Sequence, residues 1–192
     1  MTRPDEMATF LAEAALALRA ATTGPAARAA ERCIALWQGR EGKISTTLPQ
    51  RPPVCDWLAP AFAAAANGPR ARLAFAFAGV ADRLVWVPST RSGGAADFAL
   101  RNANAGLVGQ QGYEQRDDLW IGATVMAPDT AYPLHSHPPE EVYLALSPGE
   151  WWNEAMDWTD PGLNGSVYNP PGIGHRMRSG AAPFLALWFL PL

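Results

Sequence analysis

Apolar and polar positions alternate with the period of an α-helix through the first part of the chain. Apolar side chains recur every three or four residues at Met7, Phe10, Leu11, Ala14, Ala15 and Leu18, as on the inner face of an amphipathic helix. The pattern breaks at residues 22–25, where Pro25 suits the first turn of a new helix. We therefore predict a second helix over Ala26–Trp37, a third over Val54–Ala66, and a helical segment over residues 1–70.

After residue 70 the pattern changes to short runs of β-forming residues between Pro and Gly turns. The strand candidates are Arg72–Phe77, Arg83–Val87, Leu119–Met126, Glu141–Leu146, Glu150–Asn153, Gly165–Tyr168 and Phe184–Leu190. Several short strands at close spacing are typical of a sandwich or small barrel. The sequence thus predicts a mainly β domain over residues 71–192, with the helical segment standing alone, capping the barrel as a lid or forming a dimer surface.

Composition narrows the range of partners. The net charge is −3 and Lys43 is the only lysine, so the chain lacks the basic surface that nucleic acids require. The apolar runs are far shorter than the roughly 20 residues that span a bilayer. Two cysteines, Cys33 and Cys55, are too few for a disulfide framework. We expect two buried, reduced thiols in a cytoplasmic protein whose partner is a small molecule, with no nucleic acid and no membrane.

All the histidines fall into one pattern with an acidic residue. His135 and His137 are two residues apart, so in a strand they project from the same face. Glu141 follows a Pro-Pro bend and can return on the next strand, and His175 can arrive from a distant strand if the sheet closes. Three imidazoles and a carboxylate suit one divalent transition metal ion, such as Fe(II), Mn(II), Zn(II), Co(II) or Ni(II).

These motifs resemble those of the cupin superfamily. His-x-His-x3-Glu over residues 135–141 and Pro-x-Gly-x2-His over residues 170–175 correspond to its two motifs, and Gly149 fits the first. Asp129 stands near a usual glycine, and Ser179 stands where Asn is common. The resemblance implies a small cupin barrel, a double-stranded β-helix or jelly roll, with an N-terminal α-helical segment. It also implies that His135, His137, Glu141 and His175 hold the metal.

A narrower resemblance links the chain to the cupin-type dimethylsulfoniopropionate (DMSP) lyases of the DddQ-like group. It rests on Tyr132 before the histidine pair, on Glu141-Val142-Tyr143 and on the Ala-rich helical segment. This family resemblance implies a carbon–sulfur lyase that cleaves DMSP to dimethyl sulfide and acrylate by β-elimination. It further implies that Tyr143 is the base and that Tyr132 is a second catalytic residue lining the site.

The residues are compatible with that chemistry. Tyr143 lies two positions after Glu141 and shares its face of the strand. A phenol has a pKa near ~10 in water, and a neighbouring divalent cation would lower that pKa. A sulfonium donates no conventional hydrogen bond, so aromatic faces are its natural partners. For that contact we expect Tyr132, Trp188 and Trp120.

Two other classes of function stay open at this stage. The chain could be another metal cupin enzyme, either an Fe(II) dioxygenase, which would consume oxygen, or an isomerase. It could also be a metal- or ligand-sensing cupin without turnover, although a sensor has no need of Tyr143 aimed at the metal. The pattern leaves the oligomeric state undecided, and a homodimer is compatible with it.

Overall fold

Three layers make up the structure, a computed structural model that describes residues 2–91 and 93–192. Helices form the first layer, a large sheet the second and a smaller sheet the third. The helices are α1 (Asp5–Ala21), α2 (Gly24–Gly39), α3 (Leu58–Ala65), α4 (Ala71–Ala81) and α5 (Phe98–Arg101), with a 3₁₀ turn at Pro53–Trp57 before α3.

Twelve strands form the two sheets within the described residues. They are β1 (Lys43–Ile44), β2 (Trp86–Val87), β3 (Asn102–Gly109), β4 (Glu114–Gln115), β5 (Leu119–Met126), β6 (Ala131–His135), β7 (Glu141–Ala145), β8 (Glu150–Asn153), β9 (Met156–Thr159), β10 (Val167–Asn169), β11 (His175–Arg178) and β12 (Phe184–Pro191). The large sheet has the order β1-β4-β3-β5-β12-β7-β10, with β2 beside β3. The small sheet has the order β6-β11-β8-β9. The architecture confirms the mainly β, cupin-type barrel with N-terminal helices.

Both faces of the large sheet are buried, which explains why its central strands are almost wholly apolar. Along β12, Leu185, Leu187 and Phe189 pack in the same core as the helices. The intervening Phe184 and Ala186 belong to a second core between the two sheets, and Trp188 packs against it. The period of two in side-chain direction therefore assigns alternate residues to the two cores.

The helical segment covers the outer face of the large sheet. The stripe of α1 predicted from the sequence is buried there, together with Ile34 and Trp37 of α2. Arg70 crosses to the sheet, where its Nη1 donates to the Ala145 carbonyl at 2.8 Å. These helices lie on the face opposite the space between the sheets, so they are not a lid over that space. One apolar core contains residues from both 1–70 and 71–192. The division of the chain into these two parts therefore stays a prediction.

One strand prediction is wrong. Arg72–Phe77 lies within helix α4, which buries Leu73, Phe77 and Val80 along one stripe. Short apolar runs do not distinguish a strand from a buried helix, and the alanines between them favour the helix. The other strand candidates are present with small differences in their ends, and Arg83–Val87 is reduced to β2. Strands β1, β3, β4 and β9 were not predicted.

The two departures from the cupin motifs are accommodated locally. Asp129 adopts a left-handed backbone, with φ of 51°, a conformation that Asp tolerates better than most residues other than glycine. The Ser179 hydroxyl donates to the Ala127 carbonyl at 2.7 Å and accepts from the Thr130 N–H at 2.8 Å. Both residues shape the turn that leads into β6.

Two further observations concern the cysteines and the helices. Cys33 and Cys55 are free and buried, and burial raises the pKa of their thiols to about 12 and about 11. No helix among residues 2–91 and 93–192 combines the length and apolar character needed to cross a bilayer.

A buried ion pair ties the start of the chain to the large sheet. Glu114 of β4 is fully buried and accepts from Arg3 Nε at 2.7 Å, Arg3 Nη2 at 2.9 Å and the Gly42 N–H at 2.7 Å. Burial would raise the pKa of Glu114, but these donors outweigh it and lower that pKa.

We predict that Glu114→Gln lowers the free energy of unfolding by about 2 kcal/mol at pH 7, because it weakens hydrogen bonds to a charged group. The lowered pKa of Glu114 means that its contribution is complete above the unfolded-state pKa and is lost as pH falls through the folded-state value. Urea denaturation at pH 7 and at low pH measures this difference. Glu31→Gln, which removes an exposed partner of Arg19, should change stability far less; equal losses from the two variants would contradict the assignment.

Gly122 of β5 makes room for Trp188 on the neighbouring strand. A Cβ built on Gly122 would overlap the indole ring and lie 2.5 Å from the Ala105 carbonyl oxygen. We predict that Gly122→Ala lowers the free energy of unfolding by about 1–3 kcal/mol through overpacking and alters tryptophan fluorescence. Gly79→Ala in α4, where a Cβ meets no atom within 4 Å, should instead stabilise the protein by about 1 kcal/mol. Tolerance of both changes would show that Trp188 can move freely.

Candidate functional site

Three ligand-type side chains converge where the two sheets face each other. His137 follows β6, Glu141 opens β7 and His175 opens β11. Their ligand atoms all lie within 4.8 Å of one another. Glu141 Oε2 is 3.4 Å from His137 Nε2 and 3.3 Å from His175 Nε2. Two imidazoles and a carboxylate at this spacing could share a divalent cation.

Each histidine of the motif is oriented by a backbone carbonyl two residues away. A carbonyl oxygen only accepts, so each Nδ1 carries a proton and donates it, which leaves the Nε2 lone pair free in the neutral ring. The contacts run from His135 Nδ1 to Pro133 O at 3.0 Å, from His137 Nδ1 to Pro139 O at 2.9 Å and from His175 Nδ1 to Ile173 O at 3.0 Å.

A tight turn before β11 places the carbonyl that orients His175. The Ile173 N–H donates to the Pro170 carbonyl at 3.2 Å, which closes a four-residue turn. Gly172 has φ of 75°, the positive value that a type II turn requires at its third residue. Pro171 stands at the second residue, where proline is common. The Gly172 N–H also donates to the His137 carbonyl at 3.0 Å. The Pro-Pro-Gly motif therefore joins the two metal motifs through the backbone.

The ligand set fits a divalent cation electrostatically. Burial and the adjacent His175 lower the pKa of His135 to about 4. Burial would raise the pKa of Glu141, but His137 and His175 reverse the shift and lower that pKa to about 2. At neutral pH Glu141 is therefore ionised and His135 is neutral, the protonation states that metal binding needs. Burial would lower the pKa of His137, but Glu141 outweighs it and raises that pKa, so a cation competes with a proton at His137.

His175 supplies the sharpest test of that fit. Its Nε2 atom is buried and has no hydrogen-bond partner among the described residues, although Glu141 Oε2 is close. Buried polar atoms in folded proteins are almost always satisfied. A cation bound to this lone pair would satisfy the atom, so the residues present fit a metal.

His135 lies beside the three-residue cluster. Its ring centroid is 4.2 Å from that of His175 and 6.2 Å from that of His137, and the two strands pair His135 directly with His175. The structure therefore brings all four predicted ligands into one place, while the ligand role of each stays a prediction.

Two asparagines behind Glu141 were not predicted as functional. Asn169 donates to Glu141 Oε2 at 3.1 Å, and Asn153 donates to Asn169 Oδ1 at 3.0 Å. All three side chains are buried. Asn169 pairs with Glu141 across β10 and β7, and Asn153 pairs with His175 across β8 and β11. Of the two, only Asn169 could have been found from the sequence, because it directly precedes the Pro-Pro-Gly turn.

A cavity of about 340 Å³ lies against this cluster. The catalytic and aromatic residues predicted from the sequence all line it, namely Tyr132, Tyr143, Trp188 and Trp120, together with His135, His137 and Glu141. Trp188 and Tyr143 are directly paired across β12 and β7. The structure thus brings the predicted substrate-binding and catalytic residues into one cavity.

Sequence reasoning missed several residues that also line the cavity. Asn104 and Thr124 provide polar groups, and Met177 and Leu190 provide apolar surface. Arg91 is exposed and is the only Arg or Lys among the described lining residues. Asn104 and Thr124 lie in strands with no metal motif, so only the sheet register brings them to the site.

Tyr143 is fully buried in the cavity wall. Burial, followed by the nearby Glu141 carboxylate, raises the pKa of Tyr143 well above its usual value. The protein residues alone therefore hold this phenol in its neutral form. Arg91 acts in the opposite direction but is the weakest of these influences, so ionisation of the phenol needs further positive charge.

Comparison with known proteins places this arrangement in a family. The family model of dimethylsulfoniopropionate lyase matches residues 26–186. The DMSP lyase DddQ of Ruegeria pomeroyi is 35% identical over 93 residues, which are 48% of this chain and 46% of that protein. A DddL protein of Cereibacter sphaeroides is 31% identical over 139 residues, 69% of this chain and 56% of that protein. The chain spans about half the length of these curated relatives.

The fold is similar as well. The crystal structure of DMSP lyase DddQ from Ruegeria pomeroyi superposes with a TM-score of 0.69 at 26% identity, covering 99% of this chain and 93% of that one. The family match covers most of the residues and includes both metal motifs. The chain belongs to the dimethylsulfoniopropionate lyase family.

Proposed function

We propose that this protein is a metal-dependent lyase that cleaves DMSP to dimethyl sulfide and acrylate. The observation that carries the proposal is the shared cavity, which Tyr143 lines together with His137 and Glu141; these two residues form one cluster with His175. The proposal is further supported by the family match and by the relatives named as DMSP lyases.

The reaction removes a proton from the carbon next to the substrate carboxylate. The electron pair of that C–H bond forms the carbon–carbon double bond, and the C–S bond breaks as its electrons leave with neutral dimethyl sulfide. The proton passes to the phenolate oxygen of Tyr143, and acrylate remains. Sulfonium needs no acid to leave, so the barrier lies in removing a weakly acidic proton, which a positioned base assists.

His135, His137, Glu141 and His175 would hold the metal ion. When bound there, a divalent cation supplies positive charge that stabilises a phenolate and the charge building on the substrate carboxylate. Asn169 and the three backbone carbonyls keep the ligands in place. The identity of the ion among Fe(II), Mn(II), Zn(II), Co(II) and Ni(II) stays a prediction.

The aromatic wall of the cavity would recognise the sulfonium. Trp188 and Trp120 line the same space as Tyr143 and Tyr132, and cations bind over aromatic faces. Arg91, also in the wall, would repel the sulfonium end and attract the carboxylate end of the substrate. The zwitterion therefore has one favoured orientation.

We expect metal-dependent release of dimethyl sulfide from DMSP when purified protein is stripped and reloaded with each of the five ions. Headspace gas chromatography measures the product. His137→Ala should abolish release, because it removes a ligand of the cluster. A folded, metal-loaded protein that releases no dimethyl sulfide with any ion would overturn the proposed function. Oxygen uptake would then identify a dioxygenase.

Tyr143→Phe tests the base. We expect kcat to fall by at least about 100-fold while the metal content, measured by elemental analysis, is retained. Tyr113→Phe is the matched control, since Tyr113 lies outside the cavity lining, and it should leave activity unchanged. Loss of metal from Tyr143→Phe would reassign Tyr143 as a ligand.

Asn169→Ala tests the support of the cluster. Removal of the donor to Glu141 should weaken metal affinity by about 10–100-fold, as measured by competition with a chelating dye. Asn164→Ala, at an exposed position in the turn before β10, is the control. Unchanged affinity would show that Glu141 needs no help from Asn169.

The homodimer and the cytoplasmic location stay predictions.

A further inference from the structure

We propose that Thr124 and Asn104 are positioning residues that force the Tyr132 hydroxyl to direct its proton into the cavity. The proposal rests on the proposed function and deepens it. It assigns the donor state of Tyr132 to a directional chain of hydrogen bonds across three strands of the large sheet.

The chain of hydrogen bonds has three links. Trp188 Nε1 donates to Thr124 Oγ1 at 3.2 Å. Thr124 Oγ1 donates to Asn104 Oδ1 at 2.6 Å. Asn104 Nδ2 then donates to the Tyr132 hydroxyl oxygen at 3.1 Å. The links connect β12, β5 and β3 of the large sheet to β6 of the small sheet.

The direction follows from the chemistry of its ends. The indole N–H of Trp188 can only donate, so Thr124 accepts at that end and has its own proton to give to Asn104. The two distances at Asn104 agree, since 2.6 Å is typical of O–H···O and 3.1 Å of N–H···O. With the amide so fixed, the Tyr132 oxygen accepts and its proton points elsewhere.

The sheet holds this order in place. Asn104 and Thr124 are directly paired across β3 and β5, and Trp188 is paired with Gly122, two residues from Thr124. Thr124 is almost completely buried. Tyr132 itself is buried and packs edge-on against Phe98 at 5.2 Å. Rotation of the Asn104 amide would leave the buried Thr124 hydroxyl without its acceptor, which is costly.

The consequence for the reaction is a fixed hydrogen-bond donor. Because the oxygen of Tyr132 is occupied by Asn104, its O–H group is available to a substrate oxygen in the cavity. Negative charge grows on the substrate carboxylate as the neighbouring proton leaves, so a donor there acts more strongly in the transition state than on the bound substrate. Disrupting the chain should therefore change kcat more than KM.

The test compares two substitutions at Thr124. Thr124→Val keeps the volume and removes the hydroxyl, which frees the Asn104 amide to turn and accept the tyrosine proton. Thr124→Ser loses the methyl group and keeps the hydroxyl. We expect Thr124→Val to lower kcat on DMSP by about tenfold to 100-fold with little change in KM, and Thr124→Ser to recover activity to within about threefold of wild type. Equal losses in the two variants would overturn the proposal in favour of packing.

A spectroscopic measurement tests the chain without turnover. The tyrosine Fermi doublet in the Raman spectrum differs between a phenol that accepts and one that donates strongly, and subtraction of the Tyr132→Phe spectrum isolates Tyr132. Asn104→Asp places an acceptor opposite Tyr132, so we expect its doublet to shift to the donor form, with a partial shift in Thr124→Val and none in Thr124→Ser. An unchanged doublet in Asn104→Asp and Thr124→Val would overturn the proposal.

The two measurements separate this proposal from the proposed function. If wild-type protein releases no dimethyl sulfide, the lyase assignment fails, and the doublet alone decides whether the chain fixes Tyr132. Wild-type protein can also be active and the doublet can behave as expected. If kcat is then the same in wild type, Thr124→Val and Thr124→Ser, the donor role of Tyr132 is wrong.

Discussion

Burial of the large sheet on both faces is the constraint on which the rest of the structure depends. Helices α1 and α2 close its outer face, so that alternate residues of β12 and β7 can turn to the small sheet without exposing the backbone. The inward positions of β7 carry Glu141 and Tyr143, and the next strand carries Trp188. A sheet fixed from behind is a rigid platform, and rigid platforms place reacting groups more accurately than loops do.

The small sheet forms the opposite wall of the cavity, and backbone carbonyls orient the histidine rings. Each imidazole has its Nδ1 proton held by a carbonyl two residues away. Two of those carbonyls belong to Pro133 and Pro139, whose rings fix φ. The third follows the Pro-Pro-Gly turn. The prolines of these turns thus also set the direction of the histidine Nε2 lone pairs.

Features set by residues that are close in the sequence could be predicted, whereas features set by contacts between distant residues could not. The spacing of His135, His137 and Glu141 encodes a shared face directly, and the amphipathic stripe of α1 encodes its buried side. The sequence predicts a strand over Arg72–Phe77 because that apolar run is short. Packing against α1 makes it part of helix α4 instead. Asn104 and Thr124 are 20 residues apart and acquire their roles only when β3 pairs with β5. No local pattern records that pairing.

The two tyrosines of the cavity show how one fold can prepare two phenols differently. Burial near the Glu141 carboxylate raises the pKa of Tyr143, so the protein by itself keeps that proton on, and ionisation depends on positive charge at the adjacent ligand cluster. Tyr132 lies on the other sheet, where its oxygen is occupied by Asn104. A base must give up its proton before the reaction, whereas a donor must keep it throughout. Under the proposed roles of base and donor, placing the two phenols on opposite sheets, one beside the Glu141 carboxylate and one at the end of the hydrogen-bond chain, lets both conditions hold in a single small cavity.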